Sequence, residues 1–284
     1  MLSGPGVSMR LAKTLALLLA LLPALASAWN ASGHAAVAAI AESQLTQHSV
    51  LEIKLLLAND LDRHEKPSRR IRLTEIASWA DEIRDEATKT DPAAFRGWHV
   101  RHNMVCSDTL GECKDGHCVD QLIIHYAAVL ADHSQLQRTR NEALKWMVHL
   151  VGDLHMPLHS GVNLNGGGAR VDMVGQILAP AESTLHKVWD GPLLDHALAG
   201  WERQPGMGSS APMALDAPTQ WMRESRDVAL HEVYQPLAGF RCDARLAEPI
   251  RVDAAYRARS VPVIRQQIER AGLRLAQLLN TSLR

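Results

Sequence analysis

The run Leu144-Lys-Trp-Met-Val-His149-Leu-Val-Gly-Asp153-Leu-His155-Met-Pro157-Leu-His159 constrains this chain more than any other stretch. His149 and Asp153 are four residues apart, so on a helix they stand one above the other on one face, where two side chains can reach one divalent cation. Pro157 ends the helix and biases the residue before it toward extended backbone. His159 is thereby carried off the helix axis and is free to turn toward a second ion. An ordinary ion pair on a helix face is the alternative. The rest of the chain decides between them.

Nothing in the middle of the 284 residues resembles a linker, so one large domain is expected. Only two Phe and three Tyr occur beside abundant Ala and Leu, which favours helices over sheets. Residues 1–28 read as a secretory signal peptide: Arg10 and Lys13 precede the apolar run Thr14 to Leu22, and Ala26-Ser27-Ala28 closes it. Met9 is an alternative start, because the eight residues before it add nothing a signal peptide uses. No later stretch reaches the roughly 18 to 20 apolar residues that a membrane span needs. The expected mature chain is soluble, is secreted or periplasmic, and begins at Trp29. Losing Arg10 and Lys13 and no acid takes its formal charge from −1 to −3.

Four cysteines suit an oxidising compartment. Of three possible pairings, the short Cys113–Cys118 loop, turned by Asp115-Gly116, is easiest to close and leaves Cys106 with Cys242. A zinc site is the rival, although spacings of five and seven suit it poorly.

A chain starting at Trp29 would carry a free amine there, which with its own carbonyl oxygen forms a five-membered chelate near His34. The Ala-rich run from His34 to Leu57 reads as one helix. The charged stretch Asp60 to Arg72 reads as a solvated loop, and Leu73 to Arg84 as a helix with Asp81 and Arg84 one turn apart. That pair could be a surface salt bridge and nothing more. Trp98 to Met104 is expected to be extended or irregular, with helices following at Val119 to Leu130 and Asn141 to His155. His117, His125 and His133 share no spacing with the other candidates and read as solvent or packing residues.

After His159, the glycines of Asn163-Leu-Asn-Gly166-Gly-Gly168 permit close approach of backbone to a ligand. No GxGxxG, GxSxG, HExxH or phosphate-loop pattern occurs. Ala169 to Ile177 is expected to form a short β excursion. Leu185-His186-Lys-Val-Trp-Asp190-Gly191-Pro192 repeats the His-x-x-x-Asp device and again ends at helix-breaking residues. Residues 203–220 read as a surface loop. Trp221 to Tyr234 and Val252 to Leu279 read as amphipathic helices, the latter with Val261, Ile264, Ile268, Leu275 and Leu278 on its apolar face.

Trp29, His34, Asp81, His99, His149, Asp153, His159, His186 and Asp190 form a set of nitrogen and oxygen ligands suited to three zinc ions, with aspartate able to bridge two. In this order, with Ser-Trp-Ala-Asp81, Trp98-His99 and both His-x-x-x-Asp blocks, the sequence resembles the S1/P1 nuclease family over essentially the whole of residues 29–284. These are secreted, zinc-dependent, single-strand-specific nucleases, and their fold is related to zinc phospholipase C.

The resemblance implies a mainly α, single-domain, multi-helix fold with a small β excursion, and three Zn2+ per chain. One ion would take Asp81, His99, His149 and Asp153. A second, sharing Asp153, would take the amine and carbonyl of Trp29 with His34. The third would take His159, His186 and Asp190. Asp81 and Arg84 are the expected catalytic residues, Arg84 stabilising charge on the pentacoordinate phosphorus. The family's two disulfides match the pairing preferred above. His155 has no partner in the pattern.

The implied activity is endonucleolytic hydrolysis of single-stranded DNA and RNA to 5′-phosphorylated products, together with 3′-nucleotidase activity. No protein partner is implied. Three dications would explain how a mildly acidic protein binds a polyanion.

Departures from the family fall at the expected substrate contacts. Val100 and His102 replace an aromatic and an acid or amide that bind a base, Gly168 stands where an Asn commonly follows two glycines, and Gly191 stands where an amide side chain helps hold phosphate. They keep open a phospholipase C-like phosphodiesterase and a catalytically inactive zinc-binding exported protein.

Overall fold

A computed structural model describes residues 29–166, 168–173, 183–202 and 216–284. The expected signal peptide lies outside them. Helix dominates from the start: α1 (Ala31–Glu42), α2 (Gln47–Leu57), the single turn α3 (Leu73–Ile76) and α4 (Trp79–Ala87) precede β1 (Asn103–Met104). Then come α5 (Val119–Ala131), α6 (Gln137–His155), the turn α7 (Pro157–Ser160), β2 (Gly161–Val162) and β3 (Val171–Met173). The remainder is α8 (Leu185–Val188), α9 (Leu194–Leu198), α10 (Ala217–Val228), β4 (Ile250–Val252) and α11 (Ala254–Ser282). Parallel pairs β1–β2 and β3–β4 make two small sheets, with Asn103 opposite Gly161 and Val171 opposite Ile250. The chain is mainly α with a small β excursion, as expected.

The central helix is α6. Every residue from Ala143 to His155 is buried, so this helix lies inside the fold rather than on it. It packs against α5 and α11 and also meets α1, α3 and α4. Its most deeply buried cation, Lys145, is held by Asp60 at 2.8 Å and donates to the Leu61 carbonyl at 3.0 Å. The charged stretch after Asp60 is irregular, but its first residue is buried, and is tied to α6 because a buried Lys needs a partner.

Several expected helices are broken. The run to Leu57 divides at Ser43–Thr46, where the Thr46 hydroxyl accepts the Ser49 amide at 3.1 Å and caps α2. The run from Leu73 divides at Ala77–Ser78. Ahead of Pro157, Met156 takes extended backbone (φ −75°, ψ 114°), but Pro157 then opens a short helical turn, because proline fits the first helical position.

Elsewhere helix persists where a break was expected. Gly191-Pro192 sits inside a wide π turn, Trp189–Leu193, that runs on into α9; such a turn tolerates the missing proline amide. Helix α10 begins at Ala217, inside the expected 203–220 loop, with Pro218 in its first turn; residues 203–215 lie outside the described ones. Strand β3 falls within the expected excursion, of which residues 174–177 are not described.

Candidate metal centre

Helices α1, α4, α6 and α7, α8 with the π turn that follows it, and the segment before β1 deliver the candidate side chains to one buried place. The side chains of His34 from α1, His149 and Asp153 from α6 are fully buried; Asp81, His99, His159 and Asp190 are buried and His186 nearly so. The break between α3 and α4 serves the site. It frees the Ala77 carbonyl, which lies 2.8 Å from His149 Nδ1 and so turns the Nε2 lone pair inward. The His99 carbonyl does the same for His159, 2.9 Å from its Nδ1.

Asp153 stands at the middle. Its Oδ2 lies 2.8 Å from His99 Nδ1 and 3.2 Å from His149 Nε2, and its Oδ1 lies 3.4 Å from His34 Nε2 and 3.8 Å from His159 Nδ1. Asp81 Oδ1 is 3.6 Å from His149 Nε2 and 3.8 Å from His99 Nδ1. A third group is set slightly apart, with His186 Nε2 3.1 Å from Asp190 Oδ2 and His159 Nε2 4.0 Å from Asp190 Oδ1.

The donor atoms thus form three compact groups, His34–His149–Asp153, Asp81–His99–His149 and His159–His186–Asp190. His149 is within reach of the first two. Donors about 2 Å from one tetrahedral ion stand ~3.3 Å from each other, close to these separations. Both ring nitrogens of His34, Nε2 of His99, Oδ1 of Asp153 and both carboxylate oxygens of Asp190 are buried without a hydrogen bond among the described residues. Buried polar atoms are rarely left so. Imidazoles and carboxylates with inward lone pairs and no donors to meet them fit divalent cations.

The electrostatics agree. Burial opposes charge on His149, but Asp153 and Asp81 outweigh it and push its pKa up to about 9. Burial pushes the Asp190 carboxyl up to about 6 against the pull of His186. His159 is driven down to about 3, chiefly by burial. Carboxylates that draw protons onto neighbouring imidazoles are short of positive charge.

Arg84 closes the edge, its Nη1 2.6 Å from Asp81 Oδ1 and its Nε and Nη2 3.1 and 2.8 Å from Asp85 Oδ1. A cleft of about 300 Å³ lined by Ala31, Ser78, Asp81 and Asp85 opens over it. Trp29 is fully buried beside the pocket, and the Asn30 amide donates to the Asp190 carbonyl at 3.0 Å, which ties the start of the described chain to the third group.

Val100 is half-buried and His102 is exposed. Desolvation, and then the charge of His186, hold the His102 pKa down. A Cβ on Gly191 would meet nothing within 4 Å, so packing does not require glycine there. The exposed His117, His125 and His133 stay out of the site, as expected. His155 does too: its Nδ1 is 2.8 Å from the Val151 carbonyl and its Nε2 3.0 Å from Arg274 Nη1.

Gly152 is a residue that sequence reasoning missed. A Cβ at this position would come 2.8 Å from His34 Nδ1, so only glycine lets α6 pass the ring. The signal was present as a glycine inside an apolar helix, where it costs ~1 kcal/mol against Ala. Asp85, Lys145 and the Ala77 carbonyl carried no comparable mark.

The two disulfides are Cys106–Cys242 and Cys113–Cys118, the preferred pairing; among the described residues no cysteine is free. No helix of the described residues is long and apolar enough to cross a membrane.

Comparison with known proteins gives the chain a family. Endonuclease 2 of Arabidopsis thaliana is 23% identical over 273 residues, covering 89% of each chain. Endonuclease 4 of the same plant is 27% identical over 286 residues, covering 89% of this chain and 88% of its own. Nuclease S1 of Aspergillus oryzae is 29% identical over 177 residues, covering 61% of this chain and 57% of its own. The family model described as S1/P1 Nuclease matches residues 29–284, and the chain belongs to that family of nucleases.

Proposed function

We propose that this protein is a zinc-dependent endonuclease that hydrolyses phosphodiester bonds of single-stranded DNA and RNA to 5′-phosphorylated products and removes 3′-phosphates from nucleotides. The observation that carries the reading is the convergence of His34, Asp81, His99, His149, Asp153, His159, His186 and Asp190 on one buried pocket with unmet donor atoms. Residues 29–284 form the nuclease domain, and residues 1–28 a signal peptide that directs export and is removed before Trp29.

In this reading Asp81, His99, His149 and Asp153 hold one zinc. The Trp29 amine and carbonyl, His34 and Asp153 hold a second, and His159, His186 and Asp190 a third. Zinc there supplies Lewis acidity, which lowers the pKa of water and offsets charge on a phosphodiester. The chain's own part is orientation and charge. Asp153 stands among four imidazoles, and the Ala77 and His99 carbonyls hold two of the rings, His149 and His159, in one tautomer. Arg84 is aimed by Asp81 and Asp85 toward the edge where phosphoryl oxygens arrive, and stabilises the charge they gain. Val100, His102 and Gly191 flank the leaving side and contact substrate.

Zinc-loaded protein beginning at Trp29, assayed on single- and double-stranded DNA and RNA with metal content and N-terminal sequence measured in parallel, tests the proposal. About three zincs, a first residue of Trp29 and cleavage of single strands are expected. No hydrolysis of any of them would sink it. Val100 and His102 favour a second reading, a phospholipase C-like phosphodiesterase, for which phosphocholine release without nucleotide release would speak. An inactive zinc-binding protein would show an Asp81→Asn variant no less active than the parent.

A further inference from the structure

A chain poor in aromatic residues gathers five of them around one cavity behind the metal ligands. It has seven Trp, three Tyr and two Phe in 284 residues. Trp79, Phe95, Trp98, Tyr126 and Trp146 line a single cavity of about 390 Å³, within the ~300–1,000 Å³ range of small-ligand sites. Space-filling alone does not call for this, because the core elsewhere is built largely from Ala, Val, Leu and Ile. Trp146 is the hub. Its ring centroid lies 5.8 Å from Trp79, 5.4 Å from Phe95, 4.9 Å from Trp98 and 5.9 Å from Tyr126, whose ring is within 1° of parallel. It also lies 6.0 Å from the His99 ring, so the cavity backs onto the metal centre. The indole N–H of Trp79, a residue only 4% exposed, is buried without an acceptor.

The rim decides the ligand's charge. Lys145 Nζ already lies 4.0 Å from the centroid of the Trp79 ring and pairs with Asp60 at 2.8 Å. Arg138 is held by Glu65 at 2.9 Å and Glu142 at 3.1 Å. An organic cation finds that π face taken, and an anion finds these cations already neutralised. A flat, neutral, hydrogen-bonding ring fits best, and a nucleobase is such a ring. Arg63 differs from these cations. It is exposed, it lines both this cavity and the cleft over Asp81, and its one side-chain hydrogen bond among the described residues goes to His64 Nε2 at 3.1 Å.

We infer that the aromatic cavity is an accessory base-binding pocket. With the scissile phosphodiester at Asp81 and Arg84, the base of a neighbouring nucleotide enters the cavity while Arg63 contacts the phosphate between them. The inference rests on the nuclease reading above and gives it a cause for single-strand preference. An unpaired base is free to leave the strand and stack on aromatic side chains, whereas a paired one must first be unpaired and unstacked.

The test compares Tyr126→Leu and Arg63→Gln with the parent, using oligothymidylate and the baseless diester bis(4-nitrophenyl) phosphate. For Tyr126→Leu, the ratio of kcat/KM on the oligonucleotide to that on the small diester should fall about ten-fold, carried by KM. For Arg63→Gln, the salt dependence of oligonucleotide affinity should flatten by a slope of about 0.7; this exposed position remains informative should Tyr126→Leu fail to fold. A ratio and slope unmoved in both variants overturn the pocket. If the parent cleaves neither substrate, the nuclease reading fails on its own. Titration with oligothymidylate then still reads the cavity: quenching of tryptophan fluorescence, about ten-fold weaker binding in Tyr126→Leu, supports the pocket, and no quenching overturns it.

Discussion

His149 is contested at its inner nitrogen. The Ala77 carbonyl fixes Nδ1, while Asp81 and Asp153 face Nε2 and hold the metal-free imidazole protonated up to about pH 9. A metal ion must displace that proton, so affinity should climb with pH by up to tenfold per unit until about 9. The sign for stability is the reverse. A pKa raised above the ordinary 6.5 gives the metal-free fold a contribution that is complete below 6.5 and lost as pH rises through 9. Zinc affinity measured by competition with a chelator between pH 6 and 9 checks the first, and a flat profile would contradict it. Gly152 tests the same place by sterics. Alanine there would gain ~1 kcal/mol of helix propensity, but its methyl would press on His34 at 2.8 Å. We expect Gly152→Ala to cost a net ~1–3 kcal/mol of stability by overpacking and to lower zinc content and activity at least ten-fold, read by metal analysis, urea unfolding and assay.

At the scale of elements, α6 joins chemistry to core: its buried length carries His149 and Asp153 toward the site and His155 away from it, against α11. The His155 carbonyl accepts from Gln267 at 2.9 Å, and its ring meets Arg274. Burial, and then the charge of Arg274, push the His155 pKa down to about 3. A depressed imidazole favours the neutral fold, so its contribution is present above pH 6.5 and lost as pH falls from there toward 3. His155→Gln should therefore flatten the acid limb of the stability profile, measured by urea unfolding of chelated protein across that interval; an unchanged limb would place the acid sensitivity elsewhere.

Much of this arrangement was legible from spacing. The two His-x-x-x-Asp pairs, the extended residue before Pro157 and the helical segments follow from helix period and proline sterics. What did not follow was how the segments end. The break at Ala77–Ser78 has no proline or glycine to announce it, and what it secures is a carbonyl for His149, a tertiary contact. Gly191-Pro192 carries a strong stop signal, yet the chain absorbs it in a π turn because Asp190 is buried in the third group and α9 packs against α11. The expected contacts at Val100, His102 and Gly191 rested on family positions, which fix where a side chain starts and not what it touches.

For the whole molecule, two kinds of cross-link divide the work. Cys106–Cys242 spans 136 residues and Cys113–Cys118 only 5. By chain entropy, losing the first would cost ~5 kcal/mol and the second ~2 kcal/mol. Neither joins α1, α4 or α8, which bring His34, Asp81 and His186 to the polar pocket beside α6. Without ions, those segments bring carboxylates and imidazoles together in a buried place, and burial works against each charge. Metal binding to the folded chain alone stabilises it by RT ln(1 + [L]/Kd), ~2.7 kcal/mol at a hundredfold excess over Kd. Thermal unfolding with the disulfides intact should therefore fall to a lower Tm on chelation and recover in proportion to the logarithm of free zinc. A Tm indifferent to zinc would mean that the pocket is held by its own ion pairs and takes no metal.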